Sequence, residues 1–159
     1  MWKVAMIVAS NKASRGERID DTGPVVRDVL VSRLPCEVLD YRVLPDCIET
    51  LKENIIELTD RHQVALLVTV GGTGLSPDDV TPEATYQVID RIVPGLAEEM
   101  RRKAREQTHK ALFTRAICGT RGNSLIINLP GTVREAQICL EAIIDQLPEA
   151  LTILRGEGE

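Results

Sequence analysis

Short apolar runs alternate along this chain with stretches in which apolar residues recur at helical spacing. Residues 3–9 and 64–70 are continuous runs rich in Val, Ile and Leu, which are typical of strands buried on both faces of a parallel sheet. Residues 37–43 indicate another strand between them. Because parallel neighbours need crossover connections, the intervening helices must cover the sheet. The alternation predicts an α/β fold with three layers, in which a mostly parallel sheet carries helices on both faces.

The helical patterns continue to the end of the chain. They predict helices over residues 24–34, 48–58, 82–90, 95–105 and 133–147, with further apolar segments at 111–117 and 125–129. A chain of 159 residues with 43% hydrophobic residues can bury a core without disulfides or a structural metal. We expect a single domain over residues 1–155 and a frayed tail over 156–159.

Charge and composition exclude several classes of partner. The net charge of −5 and an aromatic content of 3% argue against a nucleic-acid-binding protein, which needs cations and stacking platforms. No apolar run approaches the length of a membrane span, and only six apolar residues follow Lys3, too few for a secretion signal. The four cysteines form no Cys-x-x-Cys pair, which is typical of buried thiols in a reducing compartment. We therefore expect a cytoplasmic protein with no membrane or nucleic-acid partner.

The loops that follow the predicted strands are the places to look for a ligand site, because ligands of open α/β sheets bind outside the strands' carboxyl ends. The first is rich in hydroxyls and cations and begins at Ser10, and the second contains Asp46. The third holds Gly-Gly-Thr-Gly at residues 71–74, where backbone N–H groups can approach a phosphate closely. It matches neither a Walker loop nor a dinucleotide fingerprint, so a tight structural turn remains an equal alternative.

Two acidic residues favour the interpretation of the glycine loop as part of a phosphate site. Asp78 and Asp79 follow the glycine loop. A carboxylate repels a nearby phosphate unless a divalent cation, usually Mg²⁺, lies between the two groups. Thr81 before Pro82 predicts a helix N-cap, which leaves Asp79 free for function. Asp46 is ambiguous, because Glu49 three residues later completes a capping box, and the local pattern alone favours a cap.

Other groups of residues give weaker support for a functional site. The two histidines, His62 and His109, give no support for a Ser-His-Asp or Cys-His arrangement. Asn123 and Ser124 precede the apolar segment 125–129, which runs into Pro130 and Gly131. These four residues form either two ordinary turns or a second set of groups facing the same crevice.

Taken together, these segments resemble the MogA/MoaB family of molybdenum cofactor biosynthesis proteins, which also occurs as the G domain of gephyrin and plant Cnx-type proteins. The resemblance rests on Gly-Gly-Thr-Gly at 71–74 followed by Asp-Val-Thr-Pro-Glu-Ala at 79–84, and on Leu-Pro-Asp at 44–46. Further matches are Ser10 to Gly16 with Asp20 to Pro24, Pro94-Gly95, Thr114-Arg115-Ala116, and residues 126–131. They span nearly the whole chain.

The resemblance implies an enzyme, molybdopterin adenylyltransferase, that uses Mg²⁺ and ATP to adenylylate molybdopterin and release pyrophosphate. It implies that Asp46 and Asp79 are the catalytic acids, and we expect the same pair to hold Mg²⁺. The substrate-binding candidates lie in the loops described above: Ser10, Gly71, Gly72, Thr73, Gly74, Asn123, Ser124, Pro130 and Gly131. The resemblance also implies a homotrimer, with hand-over of the product to a molybdate-insertion protein as a further expectation.

The chain departs from the family pattern in two places. Asp78 stands where the family often has Arg, and Thr132-Val133 follows Pro-Gly where Ser or Asn with Pro is common. Two alternatives to the enzyme therefore stay open: a pterin-binding or carrier module of the same fold, and a scaffold domain.

Overall fold

The computed structural model describes residues 1–158 and contains one six-stranded sheet. The strands are β1 (Trp2–Ala9), β2 (Cys36–Leu44), β3 (Leu66–Val70), β4 (Arg91–Ile92), β5 (Cys118–Arg121) and β6 (Ser124–Leu129). Their order in the sheet is β2-β1-β3-β6-β5-β4. The first four in this order are mutually parallel, whereas β5 and β4 are antiparallel to their neighbours. The predicted mostly parallel sheet is confirmed.

Residues 1–158 also form seven α-helices, of which the last two follow the final strand: α1 (Asn11–Ser14), α2 (Thr22–Arg33), α3 (Ile48–Ile56), α4 (Thr81–Tyr86), α5 (Pro94–Arg105), α6 (Val133–Ile143) and α7 (Leu147–Leu154). A π-helical turn (Glu57–Arg61) extends α3, and 3-10 turns occupy His109–Phe113 and Ile144–Gln146. No helix within residues 1–158 has both the length and the apolar character needed to cross a membrane.

The sheet is covered on both faces, as predicted. Alternate residues of β1 show this division, because Val4, Met6 and Val8 pack with α2, α5, α6 and α7 on one face. Ala5 and Ile7 pack with α3 and α4 on the other. Each face has its own hydrophobic core, so the three-layer arrangement is confirmed.

A buried polar cluster fixes α4 against the sheet. Asn128 of β6 is fully buried, and its side-chain amide donates to Thr69 Oγ1 of β3 at 2.9 Å and to Thr85 Oγ1 of α4 at 3.1 Å. Its Oδ1 accepts the N–H of Ile117 at 3.2 Å. Because buried polar groups need partners, this cluster specifies where α4 sits.

Among the elements that escaped the sequence reasoning are α1, which lies in the loop predicted after β1, the strands β4 and β5, and the helix α7. The strands β4 and β5 are short, and Gly119 interrupts the local strand pattern of β5. Glycine is nevertheless required there, because a Cβ at position 119 would lie 2.7 Å from Arg91 O of the neighbouring strand β4. The predicted helix over 133–147 ends at Ile143, and α7 follows as a separate helix with Pro148 in its first turn. Of the predicted frayed tail, Glu159 lies outside the described residues. The single-domain assignment stays a prediction.

The thiols follow the sequence reasoning in three of four cases. Cys36, Cys118 and Cys139 are buried, and burial raises the pKa of both Cys118 and Cys139 to about 12. Cys47 is instead exposed and lies at the N-cap of α3.

Candidate active site

A crevice of about 320 Å³ opens at the carboxyl ends of β1 and β3. The chain crosses from β1 to β2 on one side and continues to β3 on the other, so the strand order reverses here, where ligands of such sheets bind. Six of the predicted site residues line it: Ser10, Asp46, Gly71, Gly72, Asp79 and Gly131. The structure therefore gathers loops that lie far apart in the sequence.

The glycine loop is a structural turn and also a wall of the crevice. Gly71 has φ +92°, and a Cβ there would lie 2.6 Å from Ala9 O, so only glycine fits. Gly72 also has positive φ, at +69°. The N–H of Gly71 donates to Leu129 O at 3.0 Å, whereas the N–H of Gly72 has no acceptor among residues 1–158. Gly72 thus offers a free donor to a ligand.

Asp46 binds the loop after β1 and does not cap α3. Its Oδ2 accepts the N–H of Asn11 at 3.2 Å, while Asn11 Oδ1 accepts the N–H of Asp46 at 2.8 Å. The chain is extended through Cys47, which becomes the N-cap residue without a side-chain capping bond. The capping interpretation of Asp46 is therefore wrong, because reciprocal bonds with Asn11 hold the carboxylate at the crevice.

The environment of Asp46 disfavours its charge. Burial raises the pKa of the Asp46 carboxyl, the Asn11 N–H lowers it in part, and the nearby carboxylates of Asp79 and Asp78 raise it further. Its Oδ1 is buried and has no hydrogen-bond partner within residues 1–158. A carboxylate in this situation is stabilised by a cation.

Asp79 is likewise free of any helix cap, as predicted. The helix α4 begins at Thr81 after Val80, and no side chain caps it. The prediction that Thr81 is the N-cap is wrong, because Thr81 is the first residue of α4 and its buried Oγ1 accepts no backbone N–H within residues 1–158. Asp79 Oδ2 instead accepts the N–H of Ser76 at 3.0 Å, which closes the turn before α4.

Four other predicted residues lie in the loops around the crevice. Thr73 and Gly74 continue the glycine loop behind the crevice, and Pro130 is buried next to Gly131. Ser10 lines the crevice, but its hydroxyl accepts the N–H of Ala13 as the cap of α1. Whether any of these residues binds substrate stays a prediction.

Asn123 and Ser124 lie at the opposite edge of the sheet. They form the β5–β6 hairpin at the amino end of β6, where Ser124 Oγ donates to Val64 O at 2.5 Å. They line a separate hollow of about 640 Å³, together with Trp2 and Asp60. The expectation that they face the same crevice is wrong, because the hairpin turns them to the end of the strand that points away from it.

Two arginines near the crevice were missed as site residues. Arg18 is the only cationic side chain among the residues of 1–158 that line it, and it has no ion-pair partner there. Arg115 lies behind the glycine loop, where its guanidinium donates to Gly74 O at 2.8 Å, to Asp79 O at 2.7 Å and to Glu83 Oε2 at 2.6 Å. Arg18 has no sequence signal, and Arg115 has one only as part of the family match Thr114-Arg115-Ala116, since both roles depend on contacts between distant loops.

The side chains that could hold a metal ion are few. No group of three or more His, Cys, Asp or Glu side chains in residues 1–158 is arranged to bind one. Asp46 and Asp79 are two carboxylates at one crevice, and Mg²⁺ is usually held by one or two carboxylates with phosphate oxygens and water. The donor set fits Mg²⁺ that arrives with a phosphate ligand.

The sequence of this chain is similar to a known family model and to known proteins. Residues 5–149 match the family model described as "Probable molybdopterin binding domain". A molybdopterin adenylyltransferase from Helicobacter pylori is 35% identical over 155 residues, which is 96% of this chain and 88% of that protein.

Solved structures agree with the sequence comparison. The molybdopterin biosynthesis enzyme MoaB from Thermus thermophilus superposes with a TM-score of 0.93 and is 42% identical, covering 99% of both chains. A tungsten cofactor synthesizing protein, MoaB from Pyrococcus furiosus, has a TM-score of 0.85 and is 30% identical, covering 98% of both chains. The resemblance noted in the sequence is confirmed.

Proposed function

The chain belongs to the molybdopterin-binding domain family of molybdenum cofactor biosynthesis, and from this premise we propose that it is a molybdopterin adenylyltransferase. The reaction joins the terminal phosphate of molybdopterin to the α-phosphate of ATP. A new P–O bond forms at the α-phosphorus, the bond to the β-phosphate bridge breaks, and pyrophosphate leaves.

One observation carries the proposal: a single crevice is lined by Asp46, Asp79 and Gly72, and the N–H of Gly72 has no acceptor among residues 1–158. Transfer of an adenylyl group between phosphates needs positioning and charge neutralisation and no protein nucleophile. The crevice offers a backbone donor and carboxylates, and no histidine or thiol lines it among residues 1–158. Its chemistry suits this type of reaction.

Each residue has a role that follows from its contacts. The Gly72 N–H donates to a phosphate oxygen, and Arg18 supplies the positive charge that meets the incoming anions. Asp46 and Asp79 would hold Mg²⁺, which when bound neutralises phosphate charge. Arg115 keeps the glycine loop and Asp79 in place through its bonds to their carbonyl oxygens.

The experiment is to incubate the purified protein with molybdopterin, ATP and Mg²⁺ and to measure adenylylated pterin and pyrophosphate. Stoichiometric formation of both supports the enzyme. Tight pterin binding without either product would support the carrier module, and absence of binding and of turnover would contradict both. Omission of Mg²⁺ should abolish product formation.

The finer predictions remain proposals. They are ATP as co-substrate with Mg²⁺, assembly as a homotrimer, a cytoplasmic location, and hand-over of the product to a molybdate-insertion protein. The relatives include proteins named for molybdopterin and one named for a tungsten cofactor, so a molybdate or a tungstate pathway is compatible with the family.

A further inference from the structure

The crevice is lined by more acidic groups than the proposed reaction needs. Its four carboxylates are those of Asp20, Asp21, Asp46 and Asp79. Among the described residues, only one cationic side chain, that of Arg18, lines it as well. Asp46 and Asp79 are the pair assigned to Mg²⁺, whereas a carboxylate without such a role repels an incoming phosphate. The placement of Asp20 and Asp21 therefore affects how well the crevice accepts phosphates.

Both carboxylate oxygens of Asp20 already have donors. Its Oδ1 accepts the N–H of Gly23, in the first turn of α2, at 2.9 Å. Its Oδ2 accepts the hydroxyl of Tyr41, which lies on the edge strand β2. Asp21 is instead exposed, so water and salt screen its charge. Asp20 is thus the unassigned carboxylate whose position the fold controls.

Gly23 lets the phenol reach the carboxylate. It is buried, and a Cβ at this position would lie 2.5 Å from Asp20 Oδ2 and would collide with the Tyr41 hydroxyl. Any side chain would displace one of the two groups from the other. The lack of a side chain at position 23 therefore allows the hydrogen bond between Tyr41 and Asp20.

The segment that contains Asp20 forms one wall of the crevice, over residues 18–22. Thr22 fixes it at a second point, because its hydroxyl donates to Gly131 O, in the loop after β6, at 2.8 Å. The wall is thus tied to β2 through Tyr41 and to the end of β6 through Thr22.

We propose that Tyr41 is a positioning residue of the site, whose hydroxyl holds the Asp20 carboxylate against the first turn of α2 and keeps this charge away from the phosphates. The positive end of the α2 dipole stabilises a carboxylate at that place. Burial, and then the hydrogen bond to Asp20, raises the pKa of the Tyr41 phenol, so the hydroxyl stays protonated and donates. The inference rests on the proposed function in that phosphates enter the crevice.

The first test needs no ligand. Hydrogen exchange of the Gly23 N–H is followed by NMR in the wild type and in Tyr41→Phe, which keeps the ring and removes only the hydroxyl. Exchange should be about fivefold faster in the variant, because Asp20 is then held at one oxygen only. Tyr86→Phe, at a tyrosine of α4 that is 63% exposed, is the control and should exchange as the wild type does. Unchanged exchange at Gly23 in Tyr41→Phe would overturn the proposal.

The second test measures the consequence at the crevice. Binding of ATP with Mg²⁺ is followed by calorimetric titration, at a temperature where all variants are folded. Tyr41→Phe should bind about fivefold more weakly at low salt, with a smaller difference at high salt. Adding Asp20→Asn to Tyr41→Phe should restore the affinity, because the amide has no charge and its Oδ1 can still accept the N–H of Gly23.

Recovery in the double variant is what a merely structural role of Tyr41 would not produce. The positioning role is overturned if the double variant binds ATP as weakly as Tyr41→Phe, or if Tyr41→Phe binds it as the wild type does. A wild type that binds no ATP would contradict the proposed function, and hydrogen exchange would still decide whether Tyr41 holds Asp20 in place.

Discussion

Arg115→Ala should release the glycine loop, because this guanidinium is the link between the loop, the turn at Asp79 and α4. It donates three side-chain hydrogen bonds, at 2.6 to 2.8 Å, to Gly74 O, Asp79 O and Glu83 Oε2. At about 1 kcal/mol net for each bond, their loss amounts to ~3 kcal/mol.

Solvent reduces this figure. The Arg115 side chain is 34% exposed and that of Glu83 is 44% exposed, so water replaces part of what is lost. We expect a net loss of about 2 kcal/mol in the free energy of unfolding, which lowers the melting temperature of a domain of this size by roughly 4 to 8 °C. Arg115→Lys keeps the charge but cannot make three bonds in one plane. Its free energy of unfolding should lie between those of the wild type and Arg115→Ala.

The effect on turnover should exceed the effect on stability. Displacement of Asp79 and of the loop by about 1 Å is expected to lower kcat by on the order of 100-fold. Arg121→Ala is the control. Arg121 also donates three bonds, two to Asp60 and one to Val88 O, but at the opposite edge of the sheet.

The comparison is made by calorimetry and by pyrophosphate release at a temperature where both variants are folded. Both should lose stability, and only Arg115→Ala should lose turnover. If the two variants lose turnover equally, or if Arg115→Ala retains wild-type kcat with a lowered melting temperature, Arg115 is a structural residue and the reasoning fails.

Three further substitutions test the carboxylates and the cation of the crevice. Asp79→Asn should lower turnover by about 100-fold or more, with a melting temperature close to the wild type in calorimetry, because Asn can still accept the N–H of Ser76. Asp46→Asn should be at least as stable as the wild type at pH 7 by thermal melting, yet inactive. Since burial and then neighbouring carboxylates raise the folded-state pKa of Asp46, its protonated form stabilises the fold at low pH, and that stability is lost as pH rises through the raised pKa. The difference in stability between Asp46→Asn and the wild type should therefore disappear as the pH falls. An Asp46→Asn variant that is less stable than the wild type at pH 7 would contradict this expectation. Arg18→Gln should weaken ATP binding by up to about fivefold at low salt in calorimetric titration, with a smaller difference at high salt; equal affinities at low salt would remove Arg18 from the site.

Much of the fold was predictable because its main signal is local. The strands β1 and β3 are buried on both faces, and their apolar runs identify them without any tertiary information. The position of the crevice followed from the strand order, since loops after parallel strands meet at one edge. The short strand β5 gave no such signal, because its pairing with β4 and β6 depends on contacts that the local pattern does not contain.

The residues of the candidate site were predictable only in part. Asp46 and Asp79 could be selected from their positions after strands, but the partners that decide their roles come from other loops. Asn11 lies 35 residues before Asp46, so nothing in the local capping-box pattern could have excluded the cap. Asn123 and Ser124 were misplaced for a different reason, because they precede β6, and the amino end of a strand that is parallel to β3 lies away from the crevice.

Asp78 shows how such a site can depart from its family's usual charge and keep a workable arrangement. It stands where the family often has Arg, but its side chain is exposed and does not line the crevice. Its effect on Asp46 is the smallest of the named influences on that pKa, behind burial and Asp79. Both charges are exposed and are screened by water and salt, but Arg18 lines the crevice and Asp78 does not. In the proposed reaction the cation that meets the phosphates therefore comes from the loop after β1, and the loss of an arginine at position 78 does not by itself argue against catalysis.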